Sequence, residues 1–302
     1  MVFSASLEQS EQLFDAARGV GYASRPLLLF YGISQAGRAI AASSQSANGE
    51  EWKLSSHGIT ADIANFGKLG KVNVRDKGDG SFTRLAPLLK SSTLKGGVPL
   101  GVVWSAVPEL ASTPLEAPGE KLFPPLSYSH QHMDSEPING GTVCVIYGRL
   151  LGAPSRLLRR PDERKISEFL ENYPTLLGSE DPGPSMTPVT RNHGGIGCNI
   201  SRRWVGEEDP TNLELRTTTP YLGDDVRYAF AGFGEDGLPF HPFLGWWAVL
   251  YSLSMLARYH PAKWAEMLNI DSSPDAAIIE HALDKALDVV PELIYYLIRA
   301  AQ

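Results

Sequence analysis

PLLLFYGISQAGRAIA, residues 26–41, is the stretch that sets the architecture. Pro26 stands just after Ser24, and a proline in the first turn of a helix loses nothing by lacking an N–H. Leu29, Phe30, Ile33, Ala36, Gly37, Ile40 and Ala41 then recur at three- and four-residue intervals. That period makes an apolar stripe too wide for a surface helix, so the segment must be covered by other helices. Gly32 and Gly37 leave room on the stripe for another backbone to approach closely.

Working outward, Leu7, Leu13, Phe14 and Ala17 also keep a helical interval, with Ser6 and Gln9 at capping-box spacing, and Gly19-Val20-Gly21 breaks the run. The other long periodic block lies at the far end of the chain. Pro242 opens a helix reaching Tyr259, Pro261 opens a short one, and Ser273-Pro274 precedes a third. In the third, Ile279, Leu283, Ala286, Val290, Ile294 and Leu297 hold the period past Pro291, where a kink is expected. Two terminal blocks with apolar stripes cover each other most simply.

Between them, from about Ala61 to Pro239, proline and glycine become frequent. Val72 and Val74 followed by the turn cluster 76–81 and Phe82 read as a hairpin. Segments 142–147, 196–200 and 213–217 read as strands, and 100–107 and 163–172 as helices. Thr113–Pro125 and Gly178–Pro188 read as loops. The fold expected is α+β: a discontinuous helical bundle of residues 1–60 and 240–302, with a β-containing central insertion of residues 61–239.

Of the 302 residues, 43% are hydrophobic and 20% charged, the balance of a folded chain with a core of its own. The net charge of -7 gives no global basic field to gather nucleic acid. From Val205 to Gln302, 15 acidic residues face 6 basic ones, a balance of -9, so a polyanion fits the earlier part of the chain better. Cys144 and Cys198 are the only cysteines, far apart, as in a reducing compartment. The start of the chain has no secretory pattern and no apolar run is long enough to span a bilayer, so a cytoplasmic, membrane-free setting is expected.

His130-Gln131-His132-Met133-Asp134 has the alternation of a metal motif, but a serine, Ser135, follows the carboxylate where a further histidine would complete it. A polar loop ending at Glu136-Pro137 is the expectation, with no metal. The run 191–197 lacks the order of a P-loop or a dinucleotide fingerprint and reads as a turn, so no cofactor is expected. There is no G-x-S-x-G elbow either. The candidates for chemistry are cations: Arg38 on the apolar helix, one turn after Ser34 and two after Tyr31; His57 before Gly58; and Arg258 and His260 at the end of the Pro242 helix. At a helix C-terminus the dipole alone favours Arg258 and His260. Arg38 would serve equally as a salt-bridge partner.

LFYGISQAGRAI (residues 29–40), His57-Gly58, ISEFLENYP (166–174) and above all LYSLSMLARYHPAKW (250–264) resemble the YaaC-like family of bacterial proteins. That resemblance covers nearly the whole chain and implies no particular activity. A second similarity is to HEPN domains, helical bundles of toxins and defence ribonucleases, carried by residues 31–40 and by Ser56-His57-Gly58. Catalytic HEPN members have four to six residues between an arginine and the histidine that follows it. Here one residue separates Arg258 from His260, and eighteen separate Arg38 from His57. The HEPN similarity implies RNA as partner, with His57 or His260 as base and Arg38 or Arg258 as charge stabiliser. The alternative is a non-catalytic scaffold or protein-partner module in which the same residues join bundle to insertion. The oligomeric state stays open.

Overall fold

The computed structural model describes residues 2–44, 56–64, 66–183, 189–191, 197–223 and 225–300. In chain order the elements are helices α1 (Val2–Arg18) and α2 (Arg25–Ser43), strands β1 (Ile59–Ala61) and β2 (Asn73–Asp76), helix α3 (Ser81–Leu88), strand β3 (Val98–Pro99) and helix α4 (Leu100–Ser105). Then come strands β4 (Ser127–Ile138) and β5 (Gly141–Ala153), helix α5 (Glu163–Leu170), strands β6 (Val189–Arg191) and β7 (Cys198–Val205), helix α6 (Pro210–Thr217) and strands β8 (Thr219–Pro220) and β9 (Arg227–Tyr228). Helices α7 (Pro242–Tyr259), α8 (Pro261–Met267) and α9 (Ala276–Ala300) close the chain. The class is α+β.

Two compact units divide it. One gathers residues 1–121, 233–236 and 240–302, the other residues 122–232 and 237–239.

In the first unit α2 packs along α1, α7 and α9. Phe30, Ile33 and Ile40 from α2 and Leu250, Leu253 and Leu256 from α7 are all buried, as their shared period predicts. The room left at the two glycines is filled by aromatic side chains and not by a second backbone. A Cβ on Gly37 would lie 2.3 Å from Trp247 Cζ3, and one on Gly32 would lie 2.9 Å from Phe14 Cε2, so α7 and α1 reach α2 through the missing side chains. Trp264 Nε1 donates to the Ala23 carbonyl at 3.1 Å and ties α8 to the start of α2. Pro291 leaves α9 continuous: it withholds an N–H from the Leu287 carbonyl, and Arg18 of α1 donates there instead, at 2.6 Å. A small antiparallel sheet, β1-β2-β3, packs beside α7 through β1.

The second unit is built on an antiparallel sheet of order β4-β5-β7-β6. Ile146, Leu150, Ile200 and Trp204 make one buried face. On that face Arg202, itself buried, is held by both carboxylate oxygens of Glu163 and by the hydroxyl and carbonyl of Ser179. A buried cation is tolerable only with partners of this kind.

Four local expectations are corrected. Residues 213–217 are helical, because Asp209 caps the Thr211 N–H and Pro210 opens the turn, a start signal that outweighs the threonines. Residues 130–134 are strand, not loop, since β5 supplies a partner for a polar edge segment. Phe82 lies in the first turn of α3 in place of a return strand; β2 pairs with β1 and β3 instead. The first helix starts at Val2, which leaves Ser6 inside it. The turn read at 191–197 lies for the most part outside the described residues, as do 184–188 of the second loop.

Candidate functional site

Within the first unit the end of α7, the N-terminal half of α2 and the segment entering β1 meet. His57 is fixed from its backbone. Its carbonyl accepts the Phe82 N–H at 3.0 Å, and the Ser56 carbonyl accepts the Ser81 N–H at 2.8 Å, so the start of α3 grips the segment. Gly58 has φ +70°, and a Cβ there would sit 2.8 Å from Gly80 carbon; only glycine fits both demands.

The imidazole of His57 then lies edge-on to Phe30, centroids 5.1 Å apart, and 6.0 Å from Tyr251. Phe30 and Tyr251 are themselves edge to face at 5.3 Å and buried. This aromatic seat, although the residue reaches solvent, lowers the His57 pKa from its ordinary value, by burial first and then by the charge of Arg258. Its imidazole is therefore mostly neutral at pH 7, the form that can take a proton. Burial raises the Tyr251 phenol, an effect opposed by its hydrogen bond with Thr60 on β1.

Arg258 lies on the last turn of α7, seven residues and two turns beyond Tyr251. Its NH1 donates to the Tyr31 hydroxyl at 3.3 Å, and its guanidinium carbon lies 5.1 Å from the Tyr259 ring centroid. Tyr31 is 40% exposed and Tyr259 58% exposed, so the cation stands at the surface between two solvent-facing phenols.

Of the four cationic candidates, the fold thus brings His57 and Arg258 within electrostatic reach of each other. Arg38 shares the face of α2 that carries Tyr31 but stands two turns further on, about 10 Å along the axis. There its neighbour Gly37 meets Trp247, well before the end of α7. His260 forms the corner between α7 and α8: its N–H donates to the Leu256 carbonyl and its carbonyl accepts the Trp264 N–H, both at 2.9 Å. Phe30, Tyr251 and Thr60 are the members that sequence reading did not single out. The seven-residue spacing of Tyr251 and Arg258 on one helix was the available signal.

No group of three His, Cys, Asp or Glu side chains among the described residues is arranged to hold a metal ion. No described helix is long and apolar enough to cross a membrane. The site can supply one neutral base and one fixed cation beside exposed aromatic rings, the groups required to hold an anionic substrate and accept its proton.

A family model described as YaaC-like Protein matches residues 1–298. No curated protein and no solved structure matches the chain.

Proposed function

The chain belongs to the YaaC-like family, and from the geometry of its site we propose that it acts on RNA, as a HEPN-like processing or defence effector, through His57 and Arg258. The observation that carries this reading is the neutral imidazole seated on Phe30 and Tyr251 beside the charge of Arg258. Metal-free cleavage of RNA needs a base for the 2′-hydroxyl and a cation for the charge that gathers on phosphorus. His57 takes the proton, the 2′-oxygen attacks the adjacent phosphorus, and the 5′-oxygen departs with a proton from solvent. Arg258 holds the non-bridging oxygens, and Tyr31 and Tyr259 offer faces on which unpaired bases stack. Arg38 lies further along α2 as a contact to a neighbouring phosphate, and His260 shapes the corner that presents Arg258.

A second reading, a scaffold that docks a protein partner, draws on a different feature of the same patch. Exposed tyrosines around an arginine have the composition of an interface hot spot. Fluorescence anisotropy with a labelled single-stranded RNA separates the two. Binding that weakens with salt and falls about tenfold or more in Arg258→Ala supports the RNA reading. Absence of binding at low salt, in a protein with an unchanged melting profile, supports the scaffold.

A further inference from the structure

His130-Gln131-His132-Met133-Asp134 plays no part in that site, and it lies on an open edge of the second unit. Among the described residues β4 pairs with β5 on one side only. On the other side the Leu126–Ala229 bridge covers the start of the strand, and Ser129–Ser135 are all exposed. Asn139 and Gly140 both have positive φ, +49° and +81°, and close Ile138 against Gly141 in a two-residue turn. In such a turn the flanking pair exchanges both hydrogen bonds. Glu136, Asp134 and His132 therefore bond inward to β5, while Pro137, Ser135 and Met133 direct their backbone groups to the open edge. Two details agree with this alternation. Pro137 has no N–H to lose there, and the Ser135 N–H is met by its neighbour's Asp134 Oδ1 at 2.8 Å instead of by a strand.

A bulge between His130 and His132 interrupts the edge on one side, and Pro137 does so on the other. Between these two breaks stands Met133, a large apolar side chain 46% exposed. A two-fold antiparallel pairing in this interval centres on Met133, Asp134 or Ser135. Centring on Asp134 sets that carboxylate against its own copy, and centring on Ser135 sets Asp134 against Glu136, both unfavourable. Centring on Met133 packs the two methionines together and sets His132 opposite Asp134 on both sides of the axis. His132 is held for this role by its stack on Tyr147, rings 4.5 Å apart and 10° from parallel.

We propose that the open edge of β4 is a homodimerisation surface, paired antiparallel with the β4 of a second copy about Met133, with two reciprocal His132–Asp134 contacts. The occupant is a second copy because the order His-Met-Asp, set against its own reversal, places an imidazole N–H donor opposite a carboxylate acceptor twice, the self-complementarity an isologous interface requires.

Sedimentation velocity of the full chain, from about 1 to about 100 μM, tests this. The wild type is expected to dimerise with rising concentration, and Met133→Pro, which removes the axial N–H, to stay monomeric. His132→Asp and Asp134→His each turn both contacts into like pairs and are expected to weaken the dimer by about tenfold. The double variant His132→Asp/Asp134→His restores complementarity and is expected to recover the wild-type affinity. All four variants are judged at unchanged circular dichroism and melting temperature. A wild type monomeric over the whole range, singles that dimerise as well as wild type, or a double variant no better than the singles overturns the proposal.

Discussion

Arg258 on α7 donates to the hydroxyl of Tyr31 on α2, a hydrogen bond of 3.3 Å between residues 227 positions apart. It joins the two terminal helical blocks at their surface, two turns along α7 from where Phe30 and Tyr251 join them in the core. The cation is thereby fixed beside His57 without being buried. A residue so exposed contributes little to stability, so Arg258→Ala is expected to leave the melting temperature nearly unchanged, within about 2 °C. A large drop in thermal melts would mean that Arg258 holds the bundle together.

His57 gives the site a pH signature. Its folded pKa is lowered, so the unfolded chain takes up the proton first as pH falls. Its contribution to stability is complete above the ordinary histidine value and is lost as pH drops from there through the folded value. Arg258→Ala removes one of the two causes and is expected to move the folded value back upward. An NMR titration of the His57 Cε1 proton reads both. A folded value at or above that of a free imidazole contradicts the description of the seat.

His241, partly buried at the start of α7, makes the same kind of contribution. It caps α7, with Nδ1 accepting the Phe243 N–H at 3.1 Å, and burial depresses its pKa to about 4. Stability from this group is present above the ordinary histidine value and falls as pH decreases toward about 4. His241→Asn keeps a capping oxygen and removes the proton site, so urea midpoints measured from pH 7 down to pH 5 are expected to fall less steeply in the variant than in wild type.

Arg18 is expected to matter because of Pro291. Arg18→Ala leaves the Leu287 carbonyl without its donor and costs about 1 kcal/mol in urea unfolding. In a Pro291→Ala background the helix supplies its own N–H to Leu287, and the same substitution is expected to cost measurably less. Equal costs in the two backgrounds would show that Arg18 acts through Asp288 alone.

The long helices were legible because burial imposes a period. Phe30, Ile33 and Ile40 could only face other helices, and Gly37 announced the contact that Trp247 makes. Composition changes at about residue 61, where long helices give way to short elements, yet the first compact unit runs on to Lys121. Short elements such as α3 and α4 carry too few residues for a period, and their places beside α7 come from tertiary packing. β4 escaped notice for a related reason: apart from Met133 its exposed residues are polar or proline on both faces, so no apolar alternation marked it. At the site the titratable residue types were readable, whereas the seat that tunes His57 joins positions 30, 57 and 251 and exists only in three dimensions.

The most direct test of the functional account is incubation of the purified chain with a short single-stranded RNA in the presence of EDTA, with products read by mass spectrometry. The account predicts fragments ending in a 2′,3′-cyclic phosphate, blocked by 2′-O-methylation of the substrate and abolished in both His57→Ala and Arg258→Ala. An intact RNA, or cleavage that survives both substitutions, would contradict it.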